Sequence, residues 1–134
     1  MIYLTGNMRP TPRQKRIVRQ IADDSFARQV PADFGPVPCS SENWVPDLSS
    51  MVALRLKCVD PHVDDWVGEG GCPDKHLAAF WVIQMPGISE LILQVGNAAH
   101  RMCEGSFIVF DDSVMHSVHA KQYWRGVAYQ MRCA

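Results

Sequence analysis

The chain has 134 residues, a formal net charge of −1, 47% hydrophobic and 20% charged residues, and nine each of glycine and proline. That length suits one domain, residues 1–134, and leaves little room for a second core, while the apolar fraction argues against long disorder. The near-neutral total hides a split: residues 1–30 carry six Lys/Arg against two Asp, and residues 31–75 carry three against eight acidic residues.

Met1–Gln20 holds no apolar segment ahead of a small-residue cleavage site, so no secretory signal is expected. Thr11-Pro12 followed by Arg13–Arg28 reads as the one clear helix. Thr11 suits the N-cap, Pro12 suits the first helical position, and Ile17, Val18 and Ile21 share a face. Arg13, Lys15, Arg16 and Arg19 form a solvated face or, less simply, a docking face for nucleic acid. Those in the first turns oppose the helix dipole, so docking must help to hold the helix. Gln29–Ser50, with Pro31, Pro36, Pro38 and Pro46, reads as an irregular wrapping segment.

From residue 51 the texture becomes that of strands. Met51–Val59, Leu77–Met85, Glu90–Val95, Ser106–Phe110, Met115–His119 and Trp124–Arg132 are short apolar or alternating runs, punctuated by Pro86-Gly87, Gly96-Asn97 and Asp111-Asp112. Such a pattern predicts a mainly β protein, a β-sandwich or jelly roll, with residues 51–134 as its core and residues 1–50 as helix and wrapping. The longest apolar run, Leu77 to Ile83, is far short of a membrane span. The five cysteines (Cys39, Cys58, Cys72, Cys103, Cys133) cannot all pair and include no Cys-x-x-Cys, so a reduced, cytoplasmic protein is expected.

Three places can carry chemistry. In extended chain, residues i and i+2 point to one side, so His62 and Asp64 can reach one metal ion together. A strand returning across the sandwich can bring His116 beside them. Two imidazoles and one carboxylate are the donor set that suits non-haem Fe(II), leaving positions for a bidentate 2-oxo acid and dioxygen. Arg125 opens the final strand. If that strand pairs with Met115–His119, its guanidinium enters the same cavity and can hold the far carboxylate of a dicarboxylate co-substrate.

These residues resemble the Fe(II)/2-oxoglutarate-dependent dioxygenases. His62-Val63-Asp64, His116 some fifty residues on, and Arg125 soon after follow that family's pattern. Gly105–Ser113 with His116 is similar to the second-histidine strand of the aspartyl/asparaginyl hydroxylases, and the His116-to-Arg125 interval resembles that of prolyl hydroxylases. Over about residues 51–132 the resemblance implies a double-stranded β-helix, with His62, Asp64 and His116 on iron and Arg125 on 2-oxoglutarate. Tyr129, the first hydroxyl after Arg125 and on its strand face, is assigned a further co-substrate contact. The implied enzyme is a small hydroxylase that couples 2-oxoglutarate decarboxylation to C–H oxidation of a protein side chain, an amino acid or a nucleobase. The alternative is a non-catalytic, cupin-like module that holds a metal or small ligand.

Simpler readings stand beside these. Asp111 and Asp112 read as turn residues and Asp65 as solvated, or as the ligand if the reading slips by one. His119 falls on the strand face opposite His116, and His76 and His100 have no partner by spacing. Cys58, His62, Cys72 and His76 make up a tetrahedral zinc set on donor type, but the interval from His62 to Cys72 fits no zinc module. Trp66 and Trp124 flank the proposed site and are expected to line a pocket.

Overall fold

The computed structural model describes residues 2–22, 27–38, 44–64, 77–87 and 89–133. Thr11-Pro12 does open a helix, α1 (Pro12–Ile21). The Thr11 hydroxyl accepts from the Gln14 N–H at 3.1 Å, and Gln14 Oε1 accepts from the Thr11 N–H at 3.0 Å. Two N–H groups that the helix leaves over are thereby satisfied reciprocally. Gln14 also donates from Nε2 to Pro36 O at 2.7 Å and is 1% exposed, so one side chain ties the helix start to the proline-rich segment. The basic residues near that start are offset by partners: Arg13 meets Asp33 at 2.9 Å and Lys15 meets Glu104 at 3.3 Å. The helix is shorter than expected. Ala22 turns extended, its N–H bonded to Val18 O, and Arg28 lies in a strand.

Among the described residues the strands are β1 (Ile2–Asn7), β2 (Arg28–Gln29), β3 (Trp44–Pro46), β4 (Val52–Leu56), β5 (Val59–His62), β6 (Leu77–Gln84), β7 (Leu91–Val95), β8 (Ala98–Met102), β9 (Ser106–Asp111), β10 (His116–Ala120) and β11 (Trp124–Cys133). They form two antiparallel sheets. The larger runs β1-β9-β6-β11-β4-β2, with β3 also on β11, and the smaller runs β5-β10-β7-β8. This is the mainly β jelly roll that the strand pattern predicts.

β1 and β8 lie where the sequence reading placed no strand, and three further details differ. Met51–Val59 is not one strand: β4 belongs to the larger sheet and β5 to the smaller, and the chain changes sheet at Lys57-Cys58. The segment read as irregular wrapping supplies β2, β3 and a one-turn 3-10 helix, Leu48–Ser50, capped by the Asp47 carboxylate. β10 and β11, expected to pair, lie in different sheets: β10 sits between β5 and β7, and β11 between β6 and β4.

The larger sheet is covered on both faces, which is why β6 reads as apolar throughout. Its inward residues Val82, Ile108 and Phe110 pack with Leu91, Leu93 and Val118 of the smaller sheet. Its outward residues Trp81, Ile83, Val127 and Met131 pack with Val18 of α1 and with Phe34. The Trp81 indole N–H, buried there, donates to Met8 O at 2.9 Å.

Gln14→Ala removes half of the reciprocal cap and the 2.7 Å bond to Pro36 O, so it should cost about 1–2 kcal/mol in urea unfolding. Arg13→Ala, which breaks a surface pair, should stay within about 1 kcal/mol. Equal losses from the two variants would refute this account of how the helix is anchored.

Candidate metal centre

The centre begins with strand register. β5 and β10 pair antiparallel with His116 opposite His62, and the two rings lie 4.3 Å apart. Each Nδ1 is 2.8 Å from a main-chain carbonyl two residues earlier, Asp60 O for His62 and Val114 O for His116. A carbonyl can only accept, so each Nδ1 carries a proton and, in the neutral ring, each Nε2 presents a lone pair. The edge of Phe110 meets the His116 ring at 5.0 Å and fixes its plane.

Asp64 lies just past the end of β5. Its N–H donates to Asp112 O at 2.8 Å, which holds the chain where the carboxylate faces both rings. Asp64 Oδ2 is 3.2 Å from His116 Nε2 and Oδ1 is 3.6 Å from His62 Nε2. One ligand atom from each of the three residues lies within 4.8 Å of the others. Three lone-pair donors thus converge, an arrangement that is repulsive unless a cation or a proton lies among them. Ligand atoms about 2.1 Å from one ion and at right angles stand about 3.0 Å apart, so these residues fit a metal after small adjustments. His116 is buried, while His62 and Asp64 are partly open to solvent.

Beneath the ligands lies a support that the sequence reading missed. Asp111 behaves as a turn residue, its Oδ1 accepting from the Ser113 N–H and hydroxyl. Asp112 does more: it is fully buried, and its Oδ2 accepts from Gln130 Nε2 at 3.1 Å. The available signal was parity, since Gln130 is a polar residue on the inward side of β11, in step with Gly126 and Ala128.

The triad opens onto a cavity of about 280 Å³ between the sheets. Leu54, Leu56, Phe80, Leu93, Phe110 and Val118 make most of its wall, and Ser50 and Gln130 add polar groups. Arg125 is not among the residues that line it. Arg125 stands opposite Arg55 of β4 and so shares the outward face with Ala53 and Val127; its guanidinium donates to Gln84 Oε1 at 3.4 Å. The expected meeting of Arg125 with His116 fails because β11 does not pair with β10 and Arg125 takes the outward parity of its strand, whereas Ala128 and Gln130 of the same strand line the cavity. Tyr129 borders the cavity, but its side chain packs in the outward core and its hydroxyl donates to Pro38 O at 2.6 Å. The structure therefore brings His62, Asp64 and His116 together and leaves Arg125 and Tyr129 apart from them.

The other candidates are placed as follows. Trp124 fills the core between the sheets, against Phe80, with its N–H on Lys57 O. His119 is exposed on the far side of β10, 3.8 Å from Cys58 Sγ. His100 lies on the edge strand β8, away from the triad. Asp65, Trp66, Cys72 and His76 lie outside the described residues, and with them half of the zinc set.

No protein-family model matches the chain, and no curated protein is similar to it in sequence. Solved structures do resemble it. A cupin-2 domain containing protein from Shewanella frigidimarina matches over 87% of both chains, with a TM-score of 0.51 at 10% identity. Protein NMB1881 from Neisseria meningitidis matches over 90% of this chain and 97% of its own, with a TM-score of 0.56 at 10% identity. The chain has a cupin jelly-roll fold. In this fold the three candidate ligands sit where two strands of the smaller sheet meet the cavity.

Equilibrium dialysis against Fe(II) under nitrogen, or against Zn(II), should give one ion per chain. His116→Ala and Asp64→Asn should each weaken binding by about 100-fold or more, beyond the loss typical of outer-shell changes. Arg125→Ala should leave it unchanged. Undiminished binding by His116→Ala would remove the triad from consideration.

Proposed function

We propose that the chain is a mononuclear non-haem iron oxygenase built on a cupin fold. The observation that carries this reading is the convergence of two Nε2 lone pairs and one carboxylate on the wall of an apolar cavity. Two imidazoles and one carboxylate are the donor set of oxygen-activating Fe(II) sites, and iron bound there supplies redox chemistry with up to three open coordination positions. The protein's part is positioning. The bonds from His62 and His116 to Asp60 O and Val114 O keep both Nε2 atoms turned toward Asp64. Asp64 offsets part of the ion's charge and is itself held by Asp112 O.

The family resemblance extends this reading to 2-oxoglutarate. Its far carboxylate needs a cationic partner, yet Arg125 faces outward and no Arg or Lys is among the described residues that line the cavity. We therefore favour dioxygenation of the substrate alone. Both atoms of dioxygen then enter one product, and the electrons balance without a second reductant.

Nitric oxide, a surrogate for dioxygen, tests this without knowledge of the substrate. The Fe(II) protein should bind it and give an electron paramagnetic resonance signal that His116→Ala lacks. Addition of 2-oxoglutarate under nitrogen should give no visible charge-transfer band. A band that weakens in Arg125→Ala would restore the 2-oxoglutarate reading. Bound iron with no nitric oxide signal would establish the non-catalytic module instead.

A further inference from the structure

The inward face of β4 is left open. Val52, Leu54 and Leu56 border the cavity and are only half-buried, whereas Ala53, on the other face of the strand, is buried. Phe80 of β6 and Ala128 of β11 border the same space and are also half-buried, although both strands lie inside the larger sheet. Apolar surface left wet in the middle of a sheet is unfavourable, and an apolar body that covers it removes that cost.

The polar groups around the cavity are already engaged. The Ser50 hydroxyl donates to Asp47 O at 2.7 Å and accepts from the Gln130 N–H at 2.8 Å. Gln130 Nε2 donates to the Asp112 carboxylate, and Oε1 is buried out of the reach of water. The Tyr129 hydroxyl donates to Pro38 O in the outward core. What the described residues leave open to a ligand is the triad at one end and apolar side chains elsewhere. A charge, amide or hydroxyl set against that wall would lose its water without gaining a partner.

Size is set by two alanines. Ala78 and Ala128 stand on the paired strands β6 and β11, turned inward, where larger side chains would fill the space. The resulting cavity of about 280 Å³ is nearly twice one of about 150 Å³ that accommodates benzene, so two fused rings fit it.

We propose that the cavity takes an uncharged, hydrocarbon-like compound of naphthalene size, held by apolar contact beside the metal, and that Ala78 and Ala128 set the size it accepts. This deepens the oxygenase reading and rests on it for the role of the compound as substrate. A free amino acid, a nucleobase or a dicarboxylate brings polar groups that the wall cannot meet, and falls outside the class.

The probes are naphthalene and benzene, measured by ligand-observed NMR on the redox-silent Zn(II) protein and again after metal removal. In both states naphthalene should bind at least tenfold more tightly than benzene. Ala128→Leu should lower the affinity for naphthalene at least tenfold and leave that for benzene within about threefold, because the remaining space still holds one ring. Ala128→Val, a smaller addition, should give an intermediate loss and keeps the test open if circular dichroism shows that the leucine variant does not fold. Free phenylalanine, tested on the metal-free protein so that it cannot ligate Zn(II), should show no binding at concentrations at which naphthalene saturates. Phenylalanine binding as tight as that of naphthalene, naphthalene binding indifferent to both variants, or equal losses for the two hydrocarbons would each overturn the proposal. A chain that binds Zn(II) but not naphthalene loses this proposal alone. A chain that binds naphthalene with this size dependence but binds no Zn(II) loses the metal reading and keeps this one.

Discussion

The candidate centre depends on one cross-strand pairing, His116 of β10 opposite His62 of β5. A strand's side chains alternate with period two, so a slip of one residue would turn His116 away from the cavity. The register is held from the other edge of β10. There Val118 stands opposite Leu93 and Ala120 opposite Leu91, all four buried between the sheets. Apolar packing thus sets the position of a polar residue that contributes little to the core. The backbone bond from Asp64 to Asp112 O then brings in the third ligand, which lies beyond the strand and has no ladder to hold it.

What could be read from the sequence follows burial. β6, β7, β9, β10 and β11 announce themselves because at least one face of each is packed, and their alternating or continuous apolar runs record that. β8 reads Ala-Ala-His-Arg-Met and lies mostly exposed at a sheet edge, where neither alternation nor β-propensity marks it. The division of β4 from β5 is equally silent. Lys57-Cys58 contains no breaker, and the change of sheet is a tertiary event that local composition does not record. For α1, Thr11 and Pro12 mark the start plainly, whereas Ile21 ends the helix without glycine or proline.

The site was legible to the same extent. His62 and Asp64 could be paired by their spacing alone, and His116 by its place after an apolar strand. Arg125 could not be placed, because its position depends on which strand neighbours β11. Successive strands joined by a short link pair in most proteins, but not in all. Here the link Lys121–Tyr123 carries the chain from one sheet to the other, so the hairpin reading put the guanidinium in the wrong layer. Gln130, five residues further on, has the parity that reaches the cavity.

The cavity itself follows from how β6 and β11 divide their side chains. Trp81, Tyr129 and Met131 turn outward, to the layer that α1 and Phe34 cover, while Ala78 and Ala128 turn inward. Two alanines at these inward positions leave space between the sheets that larger side chains would fill. Unfilled space lined by leucine and phenylalanine is destabilising, because the lining atoms lose contacts on one side. The outward core offsets that cost: Val18, Trp81, Ile83 and Val127 are all completely buried there. A helix on the back of the larger sheet is therefore part of the reason that its front can remain open beside His62, Asp64 and His116.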